Sequence, residues 1–358
     1  MTKKDYIIIG QGIAGSFLAW FLQKNNKSVI VIDDAKPNAS SRVAAGIIHP
    51  VTGRRIVKTW MADQLIPFAE NFYSELENYF RIKIFHPLRI VELLSSAKEY
   101  NDWMARSAEQ GLDSYIDSSF KENAYDSFLQ PFPKKILIKK SAWVDTKLLL
   151  QTLKNHLSKN NSYLNEKFES EKLKLDREGV TYGDIAATRI IFCDGVGSLS
   201  NIYWRHLPFM PSKGEMITIK AEMKLDHILN RKIFILPVGE NLFKVGSTYS
   251  WKYDDDSPTT NAKEELIGQL KSVLKIPFEV AGHSSGIRPT VKDRRPMLGL
   301  HKQFPQVGIF NGLGTKGCLL APYFAWHLAS YLEGNVDLIR EVDVRLLPDN
   351  GLQRMVNS

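Results

Sequence analysis

The apolar and polar positions of the chain predict strands and helices that alternate from its start. Residues 5–9 and 29–32 are short apolar runs typical of buried strands, and residues 16–22 between them form an apolar helix. Apolar positions at helical spacing predict further helices over residues 61–80, 98–110, 145–158, 261–274 and 322–332. Alternating or apolar segments predict strands over residues 82–94, 136–138, 189–192, 216–220, 233–236, 242–247 and 307–310. An α/β domain interrupted by a strand-rich segment accounts for this order.

A glycine turn joins the first strand to the first helix, with the sequence Gly10-Gln11-Gly12-Ile13-Ala14-Gly15. In this G-x-G-x-x-G pattern Gly10 permits a tight turn, Gly12 lets the backbone approach a pyrophosphate, and Gly15 lets the helix pack closely on the strand. The N–H groups at the helix start can bind phosphates. Asp33, at the end of the second strand, can bind a ribose hydroxyl. The pattern therefore predicts a bound dinucleotide, and its alternative is the glycine-rich turn of an ordinary α/β protein.

Composition narrows the class of protein without adding chemistry. The 358 residues, 44% hydrophobic and 24% charged, indicate a globular protein with two domains and no membrane span. Two cysteines, Cys193 and Cys318, lack metal-ligand spacing, so we expect a reducing cytoplasmic location and no metal site. The net charge of +8 could attract nucleic acid or a membrane surface. We favour solvated surface charge over a nucleic-acid partner, because the basic residues are dispersed.

Four more segments carry a recognisable pattern. They are Ser40-Ser41-Arg42-Val43-Ala44-Ala45-Gly46-Ile47-Ile48-His49-Pro50, residues 190–198, Pro211-Ser212-Lys213-Gly214-Glu215, and residues 286–322 with Gly286-Ile287-Arg288-Pro289 and a second glycine turn at 312–317. Together with the first glycine turn, these segments resemble the D-amino-acid oxidase/glycine oxidase family of flavoproteins. The resemblance extends from about residue 5 to residue 345.

The resemblance implies an α/β fold, in which a Rossmann-type, GR2-like FAD-binding domain carries an inserted antiparallel-sheet α+β substrate domain. The implied FAD-binding domain is discontinuous (1–79, 141–204 and 282–358), and the substrate domain comprises 80–140 and 205–281. FAD is expected to be non-covalent, because residues 286–310 lack the cysteine to which some sarcosine-oxidase-like relatives attach it. The implied FAD-binding residues are Gly10, Gly12, Ile13, Ala14, Gly15, Asp33, Asp34, Ser41, Arg42, Ala45, Gly46, Ile47, Phe168, Gly195, Gly312, Gly314, Thr315, Lys316 and Gly317.

Three residues are candidates for the catalytic site. Arg288 matches the family's carboxylate anchor, since a guanidinium can bind a carboxylate through two parallel hydrogen bonds. Its alternative is an ion pair with Asp293 or Glu215. Tyr249 could hydrogen-bond the carboxylate or only pack, and His49 could orient substrate, tune the flavin or be structural.

Several positions depart from the family pattern. Asp33 stands where such FAD enzymes usually carry Glu, which leaves a nicotinamide cofactor open. Asp194 replaces a small residue, and we interpret it as an ordinary turn carboxylate. Thr315 and Lys316 stand where glycine oxidases carry an Arg, which puts glycine or sarcosine in doubt as substrate. Arg54, Arg55 and Lys58 could line the mouth of the pocket or contact the cofactor.

The expected function is FAD-dependent oxidation of the C–N bond of an amino acid or N-substituted amino acid, by hydride transfer to flavin N5. The expected partners are a small amino-acid-like substrate and oxygen or another electron acceptor. One alternative is an enzyme that processes a modified tRNA base. The other is a flavoprotein subunit without turnover of its own.

Overall fold

The predicted strands and helices are present, with shifted bounds, and the structure adds strands that the hydrophobic pattern did not predict, among them the ten-residue strand Glu279–Arg288. A computed structural model describes residues 2–52 and 56–347. The strands are β1 (Thr2–Ile9), β2 (Val29–Ile32), β3 (Ile47–Ile48), β4 (Val51–Thr52), β5 (Val57–Lys58), β6 (Phe85–Pro87), β7 (Ile90–Leu94), β8 (Ile116–Asp117), β9 (Lys134–Ile138), β10 (Ala142–Val144), β11 (Tyr163–Leu164), β12 (Leu173–Leu175), β13 (Val180–Tyr182), β14 (Ile185–Phe192), β15 (Ser212–Lys220), β16 (Ile228–Asn230), β17 (Phe234–Gly239), β18 (Leu242–Gly246), β19 (Glu279–Arg288), β20 (Met297–Leu300) and β21 (Val307–Asn311). The helices are α1 (Ile13–Lys24), α2 (Ser40–Val43), α3 (Ala62–Phe80), α4 (Ala97–Gln110), α5 (Thr146–Lys159), α6 (Thr260–Lys271) and α7 (Gly317–Leu332).

The described residues form two compact units, each built from separate stretches of the chain. The first unit comprises 2–44, 146–212 and 287–347, and the second comprises 45–52, 56–145 and 213–286. Arg54 and Arg55, which we predicted near the pocket mouth, lie outside the described residues.

The first unit is organised around a sheet in the order β11-β2-β1-β14-β13-β12, with β21 beside the end of β14 and β20 beside β21. Strands β2, β1, β14 and β21 run parallel to their neighbours in this group. Both faces of this parallel part are buried, which explains why its strands read as continuous apolar runs. Helices α1 and α7 pack against each other. The carboxyl ends of β1, β14 and β21 therefore lie together at one edge of the sheet.

The second unit contains a sheet in the order β19-β15-β18-β17-β16-β7-β9-β8. Alternate residues of β7, β15 and β18 pack with α6 in one hydrophobic core, which includes Val91, Leu93, Ile217, Ile219, Phe243, Val245, Leu266 and Leu270. Because side chains alternate along a strand, Glu92 of β7 and Asn230 of β16 lie on the opposite face of this sheet. The predicted hairpin is present, since β17 and β18 pair antiparallel around Glu240 and Asn241.

The observed units differ from the predicted domains mainly at residues 45–79, and their other boundaries lie five to eight residues further along the chain. We predicted that these residues belong to the FAD-binding domain, but in the structure they lie in the second unit. Two contacts hold them there: β3 pairs with β10, and α3 packs against β6. Sequence periodicity predicts α3 well but carries no information about which sheet it packs on.

Within the described residues, no helix is long and apolar enough to cross a membrane. In the same part of the chain, no group of three His, Cys, Asp or Glu side chains is placed to hold a metal ion.

Candidate functional site

The first glycine turn has the close packing that its sequence predicts. Gly10 has a φ of +100°, and a Cβ there would lie 2.6 Å from the carbonyl oxygen of Cys193. A Cβ on Gly15 would lie 2.0 Å from the carbonyl oxygen of Gly10. Both positions therefore exclude any side chain, and α1 begins directly against the end of β1.

The start of α1 is a helix N-terminus with a hydroxyl packed against it. Ser41 reaches this point from α2, and its hydroxyl accepts the backbone N–H of Ile13 at 3.1 Å. A Cβ on Gly12 would lie 3.2 Å from the same hydroxyl oxygen, so Ser41 packs closely against the backbone of this glycine. The predicted residues Gly12, Ile13, Ala14 and Ser41 thus surround one helix N-terminus, the kind of place where phosphates bind.

Asp33 is held at the end of β2 by three donors. Its carboxylate accepts the backbone N–H groups of Gln11 at 3.0 Å and of Ala35 at 2.9 Å. The guanidinium of Arg42 lies 3.2 Å from it and also donates to the side chain of Gln11 at 3.1 Å. Asp34 lies 3.6 Å from the Lys36 ammonium. The structure therefore brings Asp33 and Arg42 together beside the first glycine turn.

The second glycine turn follows β21 at the same edge of the sheet. Gly312 and Gly314 have φ values of +76° and +54°, and α7 begins at Gly317. Thr315 is exposed, whereas Lys316 is half-buried. Burial, together with the charge of Arg294, lowers the pKa of Lys316 to about 8. A buried cation at a helix N-terminus is a site that favours a negative group.

A third turn, at the end of β14, lies between the two glycine turns. It includes Asp194 and Gly195, and Gly195 has a φ of +58°. The Asp194 carboxyl accepts a hydrogen bond from the hydroxyl of Ser198, and burial raises its pKa to about 6. Sequence reasoning interpreted Asp194 as an ordinary turn carboxylate and included Ser198 in the motif at 190–198, but it neither predicted that the two are bonded nor singled out Asn311. The signals in the sequence were the unusual acid at position 194 and the serine that ends this motif.

Phe168 packs within the first unit. Its ring stacks on Tyr182, with centroids 5.2 Å apart, and meets Phe192 edge-on at 5.4 Å. These contacts supply a packing role for Phe168 independent of the predicted contact with the cofactor.

Ala45, Gly46 and Ile47 lie at the start of the second unit. Gly46 has a φ of +79°, and a Cβ there would lie 2.0 Å from the carbonyl oxygen of Val144. The glycine in this small-residue segment is thus required by its contact with β10. The predicted contact of the segment with flavin stays a prediction.

His49 is engaged on both ring nitrogens. Nε2 lies 3.1 Å from the Glu92 carboxylate, and Nδ1 accepts the backbone N–H of Val51 at 3.2 Å. The same Glu92 oxygen accepts the side-chain amide of Asn230 at 2.8 Å. This arrangement fits the structural alternative for His49 better than a role in which a ring nitrogen binds substrate.

Tyr249 and Arg288 lie in different units. Tyr249 belongs to the second unit and is 45% exposed, and its ring lies 5.0 Å from that of Trp251, centroid to centroid. Arg288 is the last residue of β19, is assigned to the first unit and is half-buried.

Glu215, one alternative partner that we named for Arg288, has other partners within the second unit. Thr259 donates to it from its backbone N–H at 2.8 Å and from its hydroxyl at 2.9 Å, and His283 lies 2.9 Å away. The Lys213 ammonium lies 3.4 Å from the same carboxylate.

Comparison with known proteins gives a consistent result. The model of the family described as "FAD dependent oxidoreductase" (DAO) matches residues 5–331. The chain is similar to the tRNA 5-methylaminomethyl-2-thiouridine biosynthesis bifunctional protein MnmC of Idiomarina loihiensis, with 22% identity over 96% of this chain and 58% of that protein. It is also similar to glycine oxidase of Pseudomonas putida, with 26% identity over 89% of this chain and 92% of that enzyme. The chain thus spans little more than half the length of the bifunctional relative.

Solved structures share the fold. Glycine oxidase from Geobacillus kaustophilus superposes with a TM-score of 0.80 at 19% identity, covering 95% of this chain and 97% of that one. Iminodiacetate oxidase from Chelativorans sp. superposes with a TM-score of 0.77 at 19% identity, covering 93% and 96%.

Proposed function

The chain belongs to the DAO family of FAD dependent oxidoreductases, and we propose that it oxidises the C–N bond of an amino acid or N-substituted amino acid. The observation that carries this proposal is the placement of the two glycine turns at one edge of the parallel sheet. Ligands of open α/β sheets bind at this edge, outside the carboxyl ends of the strands. The reaction removes a hydride and a proton from the substrate to give an imine, which water converts to an oxo acid and an amine.

The residues present fit FAD. The N-terminus of α1, with Gly12 and the hydroxyl of Ser41 packed together beside it, suits the diphosphate. Asp33, fixed by Gln11 and Ala35, suits a ribose hydroxyl. The turn at Gly312–Gly317 suits the flavin end, where Lys316 supplies positive charge. FAD, when bound, supplies the acceptor for the two electrons of the substrate. We propose that it is held non-covalently.

The proposed tasks of the protein are to bind and orient the substrate and to stabilise the charge that develops during its oxidation. Arg288 would anchor a substrate carboxylate, because a planar guanidinium holds both of its oxygens in one geometry. Lys316 would stabilise negative charge that develops beside it as the substrate is oxidised, and its burial strengthens that effect. Tyr249 would contribute a hydroxyl or an aromatic face.

A second candidate follows from the similarity to the bifunctional MnmC proteins, which covers 96% of this chain in one case. In this reading the oxidised amine is carried on a modified tRNA base. Thr315 and Lys316, standing where glycine oxidases carry an Arg, are compatible with a substrate other than glycine. The third reading, a flavoprotein subunit without turnover, requires a partner protein.

Anaerobic reduction of the bound flavin tests the three readings. The purified protein is mixed with D-amino acids, glycine derivatives, N-methyl amino acids and, separately, unfractionated tRNA from a strain that lacks this protein. Bleaching of flavin absorbance by a free amino acid supports the leading proposal. Bleaching by tRNA alone supports the second candidate, and it should weaken as salt rises. Bleaching by neither contradicts both and favours the subunit reading.

A further inference from the structure

Parallel strand order places three loops side by side at the proposed FAD edge. At its carboxyl end β14 pairs with β1 on one side and with β21 on the other. The turn that follows β14 therefore lies between the first glycine turn, after β1, and the second glycine turn, after β21. A side chain of this middle turn that bonds to its neighbours can therefore fix the position of one glycine turn relative to the other, and these turns are the two proposed ends of the FAD site.

The backbone of the middle turn packs directly on the first glycine turn. The N–H of Cys193 donates to the carbonyl of Ile9 at 2.8 Å. A Cβ on Gly10 would lie 3.1 Å from the Cα of Asp194, and a Cβ on Gly15 would lie 3.2 Å from the Cβ of Cys193. No space remains on this side, so residues 193 and 194 are fixed relative to the start of α1.

The side chain of Asp194 leads in the other direction, through a continuous chain of hydrogen bonds. The hydroxyl of Ser198 donates to the Asp194 carboxyl. The side-chain amide of Asn311 donates to the Ser198 oxygen at 2.9 Å and to the carbonyl of Gly195 at 2.8 Å. The carbonyl oxygen of that amide accepts the backbone N–H of Gly312 at 2.8 Å.

Burial makes each hydrogen bond of this series costly to break. Ser198 is fully buried and Asn311 is 3% exposed, so water cannot replace their partners at low cost. The direction of every bond is also determined. An amide N–H₂ can only donate and the backbone N–H of Gly312 can only donate, so the hydroxyl of Ser198 must turn its hydrogen toward Asp194. This series of hydrogen bonds thus requires a hydrogen-bond acceptor at position 194.

We propose that Asp194 is a positioning residue which, through Ser198 and Asn311, fixes the backbone of Gly312 and with it the second glycine turn relative to the first. The inference rests on the proposed function only in taking both turns to hold FAD. It gives a reason for an acid at position 194, where the family pattern given in the sequence analysis has a small residue. Asp194 acts here on the geometry of the site and need not touch substrate.

Ser198→Ala tests the proposal, because the hydrogen bonds connect Ser198 to Gly312 through Asn311. Amide hydrogen exchange of the peptide containing Gly312 is measured in the apoprotein, and the dissociation constant of FAD is measured by flavin fluorescence. We expect both the exchange rate at Gly312 and the FAD dissociation constant to rise about tenfold, as for the loss of one buried hydrogen bond.

Ser200→Ala is the matched control. Ser200 lies in the same turn and is exposed, and its hydroxyl donates to the carbonyl of Gly197, which is not part of the series of hydrogen bonds from Asp194 to Gly312. It should change neither value. Asp194→Asn keeps an acceptor oxygen but removes the charge, so it should retain slow exchange at Gly312. If Ser198→Ala leaves exchange at Gly312 and FAD affinity unchanged, the proposal is wrong. Failure of the proposed substrate oxidation would leave the exchange result intact, so the two can be told apart.

Discussion

Lys316 is a half-buried cation whose surroundings disfavour its charge. Burial and the charge of Arg294 together lower the pKa of Lys316 to about 8 from an ordinary value near 10.5. The unfolded chain therefore binds a proton that the folded chain has lost between these two pH values. Stability from this group is accordingly lower below pH 8 and rises as the pH increases from about 8 to 10.5.

Replacing Lys316 with Met should stabilise the apoprotein and weaken its function. At pH 7 we expect the free energy of unfolding to rise by on the order of 1–3 kcal/mol, because the buried charge is removed. The gain should shrink above pH 8. Urea unfolding at several pH values measures it, with the exposed Lys302→Met as control. A destabilised Lys316→Met variant would contradict the assignment of Lys316 as a strained cation.

Arg288 carries the proposal about the substrate. For Arg288→Ala we expect kcat/KM to fall by the equivalent of about 2–5 kcal/mol, the range for removing one partner of a buried charge pair. Arg288→Lys should recover only part, since an ammonium cannot make the paired contact. FAD content and thermal stability should stay unchanged in both. A variant that loses FAD or fails to fold would show instead that Arg288 is structural, and unchanged kcat/KM would rule out a carboxylate at this point.

At the scale of elements, the site depends on how closely α1 approaches β1. Glycine usually destabilises the interior of a helix, but α1 requires Gly15, because any side chain there would meet the backbone of Gly10. Packing does not require a glycine in α6, because Gly268 is exposed and a Cβ there would meet nothing within 4 Å. Replacing glycine with alanine should therefore have opposite effects on the free energy of unfolding in the two helices.

Gly15→Ala should destabilise the protein and Gly268→Ala should not. A Cβ on Gly15 would lie 2.0 Å from a backbone oxygen, so α1 must move, and we expect a loss of roughly 2–4 kcal/mol together with much weaker FAD binding. Gly268→Ala should raise the free energy of unfolding by about 0.5–1 kcal/mol, because alanine restricts the unfolded chain. Thermal melts and flavin content measure both. Equal effects of the two substitutions would contradict the packing described for α1.

At the scale of the whole molecule, most of the residues that we propose for FAD belong to one unit. Both glycine turns, Asp33, Arg42 and Lys316 belong to the first unit, whereas Ala45, Gly46 and Ile47 belong to the second. A ligand that binds only the native state stabilises the part of the structure that holds it. Removal of FAD should therefore affect the units unequally.

Hydrogen exchange with and without FAD should show this asymmetry. We expect FAD to slow amide exchange mainly in residues 2–44, 146–212 and 287–347, with the largest effect in the two glycine turns. The second unit should change less, apart from the segment around Gly46. Uniform protection of both units, or protection confined to the second, would contradict the assignment of the FAD site.

The sequence alone determined the features that depend on near neighbours in the chain. The apolar spacing of residues 61–80 predicted α3 almost to the residue, and the glycines at 10, 12 and 15 predicted a strand, turn and helix in contact. These are local, because a helix repeats every few residues and a turn is made within one short segment. The family, with FAD as its cofactor, could be inferred from such segments and their order.

Tertiary structure decided what depends on which strands are neighbours. Asn311 meets Ser198 across 113 residues of chain because β21 lies beside β14, and His49 meets Glu92 across 43 because their segments share the second unit. No local pattern encodes those pairings, so the sequence predicted an ordinary turn carboxylate at Asp194 and left the role of His49 open. The order of β1, β14 and β21 places the series of hydrogen bonds from Asp194 beside the second glycine turn, and packing within the second unit brings Glu92 to His49.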